Sequence, residues 1–227
     1  MIFGWFSGVA PRLLLAALLL CCAFLSSADF LSDKSRQTMQ KRFGDDGVAL
    51  LQAWNRLMLE QEAADERQQL EQINAFFNRN IRYSDDIDLW GQSDYWATPL
   101  ETMGSRAGDC EDYTIAKYIS LVKLGIPNER LRLIYVRATI GGVNSRVSQA
   151  HMVLGYYQTP ESMPLILDNL LPRILSASQR PDLKPVFSFN SVGLWVGNNP
   201  QSQADPTARL SRWRDLLSRM QEEGFYE

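Results

Sequence analysis

Histidine and cysteine are scarce in this chain, and their scarcity narrows what it can do. His151 is its single histidine, and two of its three cysteines, Cys21 and Cys22, sit in an apolar stretch near the start. That leaves Cys110 alone in the body of the sequence, so a chain exported without its leader forms no internal disulfide. No block of basic residues is present, and the net charge is −3, which argues against a nucleic-acid partner. A long hydrophobic run is missing too. Residues 13–25 (LLLAALLLCCAFL) make a 13-residue stretch, short of the about 20 that a membrane span needs. There are no internal repeats and no low-complexity segment.

What is present reads as one globular domain with a sizeable core. The chain has 227 residues, 45% apolar and 22% charged, with helical extensions at its ends. Arg12, the apolar run and Ser26-Ser27-Ala28 follow the pattern of a secretory signal at 1–28, with small residues where cleavage occurs. Residues 2–9 (IFGWFSGV) are also apolar, so an uncleaved N-terminal anchor is the alternative. Leu20 before Cys21 is not the small residue that precedes a lipidated cysteine. Cleavage after Ala28 removes Arg12 and leaves 22 basic against 26 acidic side chains, a net charge of −4.

Residues 29–80 predict amphipathic helices, with Val48, Leu51, Trp54, Leu57 and Met58 on one stripe and Leu70, Ile73, Phe76 and Phe77 on another. An acidic loop follows (Asp85, Asp86, Asp88), then an irregular aromatic stretch over 89–109. A helix is predicted from Cys110 to Leu124, carried by Ile115, Ile119 and Val122 and stopped by Gly125 and Pro127. The period then changes to two. Strands are predicted at Leu131–Thr139, Ser148–Tyr157 and Pro164–Asn169, with shorter runs at Val186–Asn190 and Leu194–Val196. Hairpin-length connections make the sheet antiparallel. A charged helix over Asp205–Glu223 ends the chain, with Leu210, Trp213, Leu216, Leu217 and Met220 along one face. The fold class is α+β, with a domain over 29–200 and a C-terminal helix in 201–227.

The chemistry is expected at Gly108-Asp109-Cys110-Glu111-Asp112. Asp109 can cap the helix, which places Cys110 in the first turn, where the dipole and free N–H groups favour a thiolate. Two readings compete there: a small buried residue, as most free cysteines are, and a nucleophile. His151 and Asp168 favour the second, because adjoining antiparallel strands can set them side by side, facing the Cys110 helix. His151 then takes the thiol proton and Asp168 fixes the ring. The acids Asp109, Glu111 and Asp112 work the other way and raise a thiol's pKa unless a cation balances them. Three oxygen-bearing side chains in four residues suit a hard cation such as Ca²⁺, or else they are first-turn acids favoured by the dipole. The Cys110 N–H, with the Trp96 indole N–H, is a candidate oxyanion donor.

Three blocks, GDCEDYTIAKYISLVKLGIP, AHMVLGYY and PLILDNL, together with Asp94-Tyr95-Trp96-Ala97-Thr98-Pro99, resemble the bacterial transglutaminase-like cysteine proteinases over roughly residues 30–200. The resemblance implies a papain-like fold with the nucleophile helix packed on an antiparallel sheet. It implies Cys110 as nucleophile, His151 as base and Asp168 as orienting acid, with calcium held by Asp109 and Glu111 and Asp112 a further candidate. It also implies a periplasmic endopeptidase. The substrate it implies is the N-terminal region of a large surface adhesin, cut beside paired alanines so that the adhesin is released and biofilm disperses. The resemblance further implies a cyclic di-GMP-sensing inner-membrane receptor that sequesters the protease. Two other functions use the same parts: amine transfer through the same acyl-enzyme, and a non-catalytic module that docks a partner protein.

Overall fold

Two amphipathic helices lead into a third that the rest of the chain encloses. The computed structural model describes residue 1 and residues 29–142, 145–197 and 201–225; residues 2–28 of the export signal read at 1–28 lie outside them. Among the described residues no helix is long and apolar enough to cross a membrane.

Helix α1 (Asp33–Gln61) starts at Ser32, whose hydroxyl accepts the Ser35 N–H at 3.0 Å. It kinks at Gly44, where φ is +64°, a value glycine adopts at little cost. Helix α2 (Glu66–Asn80) starts at Asp65, which accepts the Gln68 N–H at 2.8 Å. Next come β1 (Arg82–Tyr83), α3 (Asp86–Trp90), α4 (Pro99–Ser105), β2 (Ala107–Gly108) and α5 (Cys110–Lys123). The acidic loop and aromatic stretch of the sequence reading are therefore partly helical. At α4 the reason was printed in the residues: Thr98 and Glu101 form a reciprocal capping box with Pro99 in the first turn, a strong helix start. Ala107-Gly108, at the end of the stretch expected to be irregular, pairs in parallel with Arg82-Tyr83.

The sheet comprises β3 (Leu131–Thr139), β4 (Ser148–Tyr156), β5 (Leu165–Leu167), β6 (Leu175–Ser176), β7 (Leu183–Phe189) and β8 (Leu194–Val196). Their order is β6-β5-β4-β3-β7-β8, antiparallel throughout. Alternation sorts its side chains. Leu131, Leu133, Met152, Leu154, Leu167 and Phe189 join the main core, and Ile134, Val136, Ala138, Val153 and Ile166 form a second cluster on the opposite face.

Helix α5 is buried continuously from Glu111 to Leu121, which marks it as the centre of the domain rather than a surface helix. Trp54 of α1 packs fully buried and donates its indole N–H to Ser120 at 2.9 Å. Phe77, Ile73 and Leu70 cover it from α2. Each such side chain contributes about 1.5–3 kcal/mol by leaving water. After α6 (Pro206–Arg209), α7 (Ser211–Glu222) buries Trp213, Leu216 and Met220 in this same core. Trp213 meets Phe189 edge-on at 5.3 Å. Across α1, α4 and α7, Glu101 takes Arg42 at 2.6 Å and Arg219 at 2.5 Å. The C-terminal helix thus belongs to the body of the fold.

Candidate active site

Cys110 is the first residue of α5, and the turn before it leaves no room for a side chain. A Cβ on Gly108 would lie 2.6 Å from Asp112 Oδ2. Strand β5 ends at Leu167, opposite Leu154, so the edge of β4 beyond it is open, and the start of α5 docks there. The Thr114 hydroxyl faces the carbonyls of Cys110 at 2.8 Å and of Met152 at 3.1 Å, and the Met152 N–H is directed at the sulfur. The thiol sits against β4 one residue from His151. It donates to Glu111 Oε2 at 2.8 Å, and among the described residues no hydrogen bond joins it to the imidazole. Burial and the adjoining Glu111 and Asp109 carboxylates push the thiol pKa well up, against the Met152 N–H. In this state the helix dipole does not win.

His151 and Asp168 form a finished pair. His151 is 2% exposed, and its Nε2 lies 2.8 Å from Asp168 Oδ1, which leaves Nδ1 for a second partner. Asp168 directly follows β5, and its carbonyl accepts the Asn78 side-chain N–H at 2.8 Å. Its Oδ1 also accepts the Leu170 N–H at 3.0 Å, and its Oδ2 accepts Arg180 Nη2 at 2.8 Å. Burial alone would raise this carboxyl; the bonds from His151, Leu170 and Arg180 outweigh it and bring the pKa down to about 2. Both residues were expected on the sheet face that carries the Cys110 helix. Alternation along β4 groups His151 with Val153, opposite Met152, whereas Asp168 lies past the end of β5 and is near enough to Lys117 of α5 to attract it. The tip of α5 comes in beside the β4 edge, at Met152.

The acids around the thiol are not satisfied in this way. Asp86, Asp109 and Asp112 present one oxygen each within 4.8 Å of one another, and Asp109, Cys110 and Glu111 make a second such group. Asp112 is served by backbone alone, its Oδ1 accepting from Ala97 at 2.8 Å and its Oδ2 from Asp109 at 3.2 Å. Asp86 Oδ2 accepts the Tyr95 N–H at 2.6 Å, but Asp86 Oδ1 and Asp109 Oδ1 are buried with no hydrogen-bond partner. Burial, then repulsion from Glu111 and its neighbours, pushes Asp86 up to about 6 and Asp109 up to about 10; Asp112 also rises. Buried carboxylate oxygens without donors, all hard ligands, fit a divalent cation of the Ca²⁺ type; the soft sulfur of Cys110 does not add to that set.

Trp96 is buried, stacked on Phe189 at 5.6 Å, and its indole N–H donates to Asp94 at 3.1 Å. It therefore packs, and its N–H is already engaged by a carboxylate. Two participants escaped the sequence reading. Asp86 stood in the acidic loop, but only the β1–β2 pairing, with Ser84 N–H on Gly108 O at 3.0 Å, brings that loop to Asp109. Arg180 carries no local signal at all.

The family profile described as bacterial transglutaminase-like cysteine proteinase matches residues 52–182. No curated protein matches the chain. Among solved structures, EGTA-treated LapG of Legionella pneumophila is 41% identical with a TM-score of 0.71, covering 82% of this chain and 96% of that one. Calcium-bound LapG of the same organism is 40% identical with a TM-score of 0.71, covering 84% and 99%. On that match and that likeness, this chain belongs to the bacterial transglutaminase-like cysteine proteinases.

Proposed function

We propose that the chain is a calcium-dependent periplasmic cysteine endopeptidase acting through Cys110, His151 and Asp168. The observation that carries the reading is the docking of the α5 tip on β4 at Met152, one residue from a histidine already oriented by a buried carboxylate. In the acylation step the Cys110 sulfur bonds to the scissile carbonyl carbon while its proton passes to His151 Nδ1. The imidazolium then gives that proton to the departing amine as the C–N bond breaks, and Asp168 keeps the ring in register. Water, activated by the neutral imidazole, hydrolyses the thioester and returns the thiol. The Cys110 N–H faces the developing oxyanion.

Asp86, Asp109, Glu111 and Asp112 would hold the cation. Bound Ca²⁺ supplies positive charge beside the thiol, where the bare carboxylates oppose ionisation. A carboxylate that serves the cation is no longer free to accept the thiol proton's hydrogen bond, which Glu111 does in this structure.

The substrate is the N-terminal region of a large surface adhesin, whose cleavage releases it and disperses biofilm. An inner-membrane receptor that senses cyclic di-GMP holds the protease in check, and residues 1–28 direct export. These assignments rest on the family resemblance of the blocks around Cys110, His151 and Asp168. The test is incubation of the chain from residue 29 onward with the adhesin N-terminal region, in calcium and in excess EGTA. Two fragments in calcium and none in EGTA are expected; no cleavage in either removes the substrate assignment. Capture of the acyl group by an added primary amine instead of water would make the enzyme a transferase. Binding without any cleavage would make it a docking module.

A further inference from the structure

We propose that Arg180 is a positioning residue of this site, locking the Asp168 carboxylate in the one rotation that keeps Oδ1 on His151. The inference rests on the protease reading given above. A carboxylate has two equivalent oxygens and a broad terminal torsion, so one hydrogen bond from an imidazole does not fix its plane. Here Oδ2 is taken by Arg180 Nη2 at 2.8 Å, and the remaining oxygen points at Nε2 and at the Leu170 N–H.

The guanidinium is itself pinned. Its Nε lies 3.0 Å from Asp182 Oδ1, and its Nη2 lies 2.7 Å from Asp182 Oδ2. The Arg180 backbone N–H closes a turn on Ala177 O at 3.1 Å. The result is a continuous line, imidazole to carboxylate to guanidinium to carboxylate, running from β4 to the start of β7. Arg180 is 5% exposed and stands in the wall of a cavity of about 560 Å³ with Ile134, Val153 and Ile166, on the sheet face opposite the main core. It touches neither the thiol nor the acidic cluster, so any effect on catalysis passes through Asp168.

A second cation also faces that carboxylate. Lys117 of α5 is wholly buried and is attracted to Asp168, but burial drives its pKa down to about 7. Among the described residues no hydrogen bond joins the two. An amine that loses its charge near neutrality cannot serve as a fixed partner, whereas a guanidinium stays charged and offers a planar fork.

The chain has one histidine, so its imidazole N–H resonance is identified without assignment, and it can be read on the free protein with no substrate. In the wild type we expect a downfield, slowly exchanging Nε2–H signal. Arg180→Gln should broaden or abolish it and lower kcat by roughly 10–100-fold, the usual effect of losing a partner behind an active group, with KM within about twofold. Arg180→Lys keeps the charge and loses the fork; about tenfold in kcat and a partly broadened signal are expected. In an Asp168→Asn background the further loss from Arg180→Gln should vanish, because both changes break one line. An unchanged resonance and kcat in Arg180→Gln, or fully additive losses with Asp168→Asn, overturn the inference. If Arg180→Gln does not fold, wild-type resonance and kcat in Arg180→Lys do so. Failure of the protease reading has a different signature, cleavage that survives Cys110→Ala.

Discussion

Two groups of carboxylates flank the candidate nucleophile, and they are built in opposite ways. On the strand side, Asp168 has a donor on each oxygen and an ionisation range pulled down to about 2. On the helix side, Asp86 and Asp109 each leave a buried oxygen unpartnered, and both are pushed up, to about 6 and about 10. The first is complete as folded; the second has the form of a site waiting for positive charge. The thiol lies between them and in this state leans to the unfinished side, donating to Glu111 rather than to the imidazole. On the proposed mechanism, chemistry depends on both sides, but only one depends on an added ion.

The largest effects should come from the groups that the two sides serve. Cys110→Ala and His151→Ala are each expected to lower the cleavage rate by about four orders of magnitude or more, while binding of the adhesin fragment persists in Cys110→Ala. Cleavage surviving either change would remove the catalytic reading. The next largest concerns the helix side alone. Asp86→Asn, read by titration calorimetry, should weaken calcium binding at least about tenfold, since a charged ligand is lost from the set. Undiminished affinity would place Asp86 outside the cation site.

The same isosteric change should then have opposite signs on the two sides. Asp168→Asn removes a charged partner from Arg180 and His151 and should cost about 2 kcal/mol, or roughly 4–8 °C in melting temperature. Asp109→Asn removes a carboxyl that, raised to about 10, must hold a proton in the folded protein when calcium is absent, so in EGTA it should raise the melting temperature by roughly 2–4 °C near neutral pH. Both melting lower would mean that the helix-side acids are satisfied after all.

Acid titration sharpens the contrast. The Asp168 carboxyl is depressed in the folded protein, to about 2, against about 3.9 unfolded. Its contribution is therefore fully present above pH about 4 and is lost as pH falls through about 2. That difference corresponds to about 2.6 kcal/mol. The stability gap between wild type and Asp168→Asn should narrow as pH falls through this window. A gap that does not change below pH 4 would show that the carboxyl is not held as an anion by its partners.

How much of this could be read from residues alone follows from the range of each interaction. The α5 start, the β3–β4–β5 hairpins and the buried stripe of α7 are written in local periodicity and turn residues, and they appear within a residue or two of where the pattern puts them. The capping box at Thr98 and Glu101 was equally local and was legible, though aromatic crowding made the stretch look irregular. The docking of the α5 tip on β4 was not legible. It depends on β5 ending at Leu167, so that α5 meets β4 at an open edge, and strand length is decided by tertiary packing. Asp86 and Arg180 are the same kind of case, since a two-residue parallel pairing and a turn before β7 deliver them from a distance.

The smallest expected effect tests an assignment that the geometry weakens. Trp96 was a candidate oxyanion donor, yet its N–H is spent on Asp94 at 3.1 Å, and its ring is stacked on Phe189 within the core. Asp94 is tied in turn to Arg212 of α7 at 2.7 Å, so the indole belongs to the brace that holds the C-terminal helix. Trp96→Phe keeps the stack and drops the N–H; it should change kcat by less than about threefold. An oxyanion donor lost from an acyl-transfer site costs about 10²–10³ in kcat, and a drop of that size would return the indole to the reacting carbonyl and make its bond to Asp94 a resting arrangement.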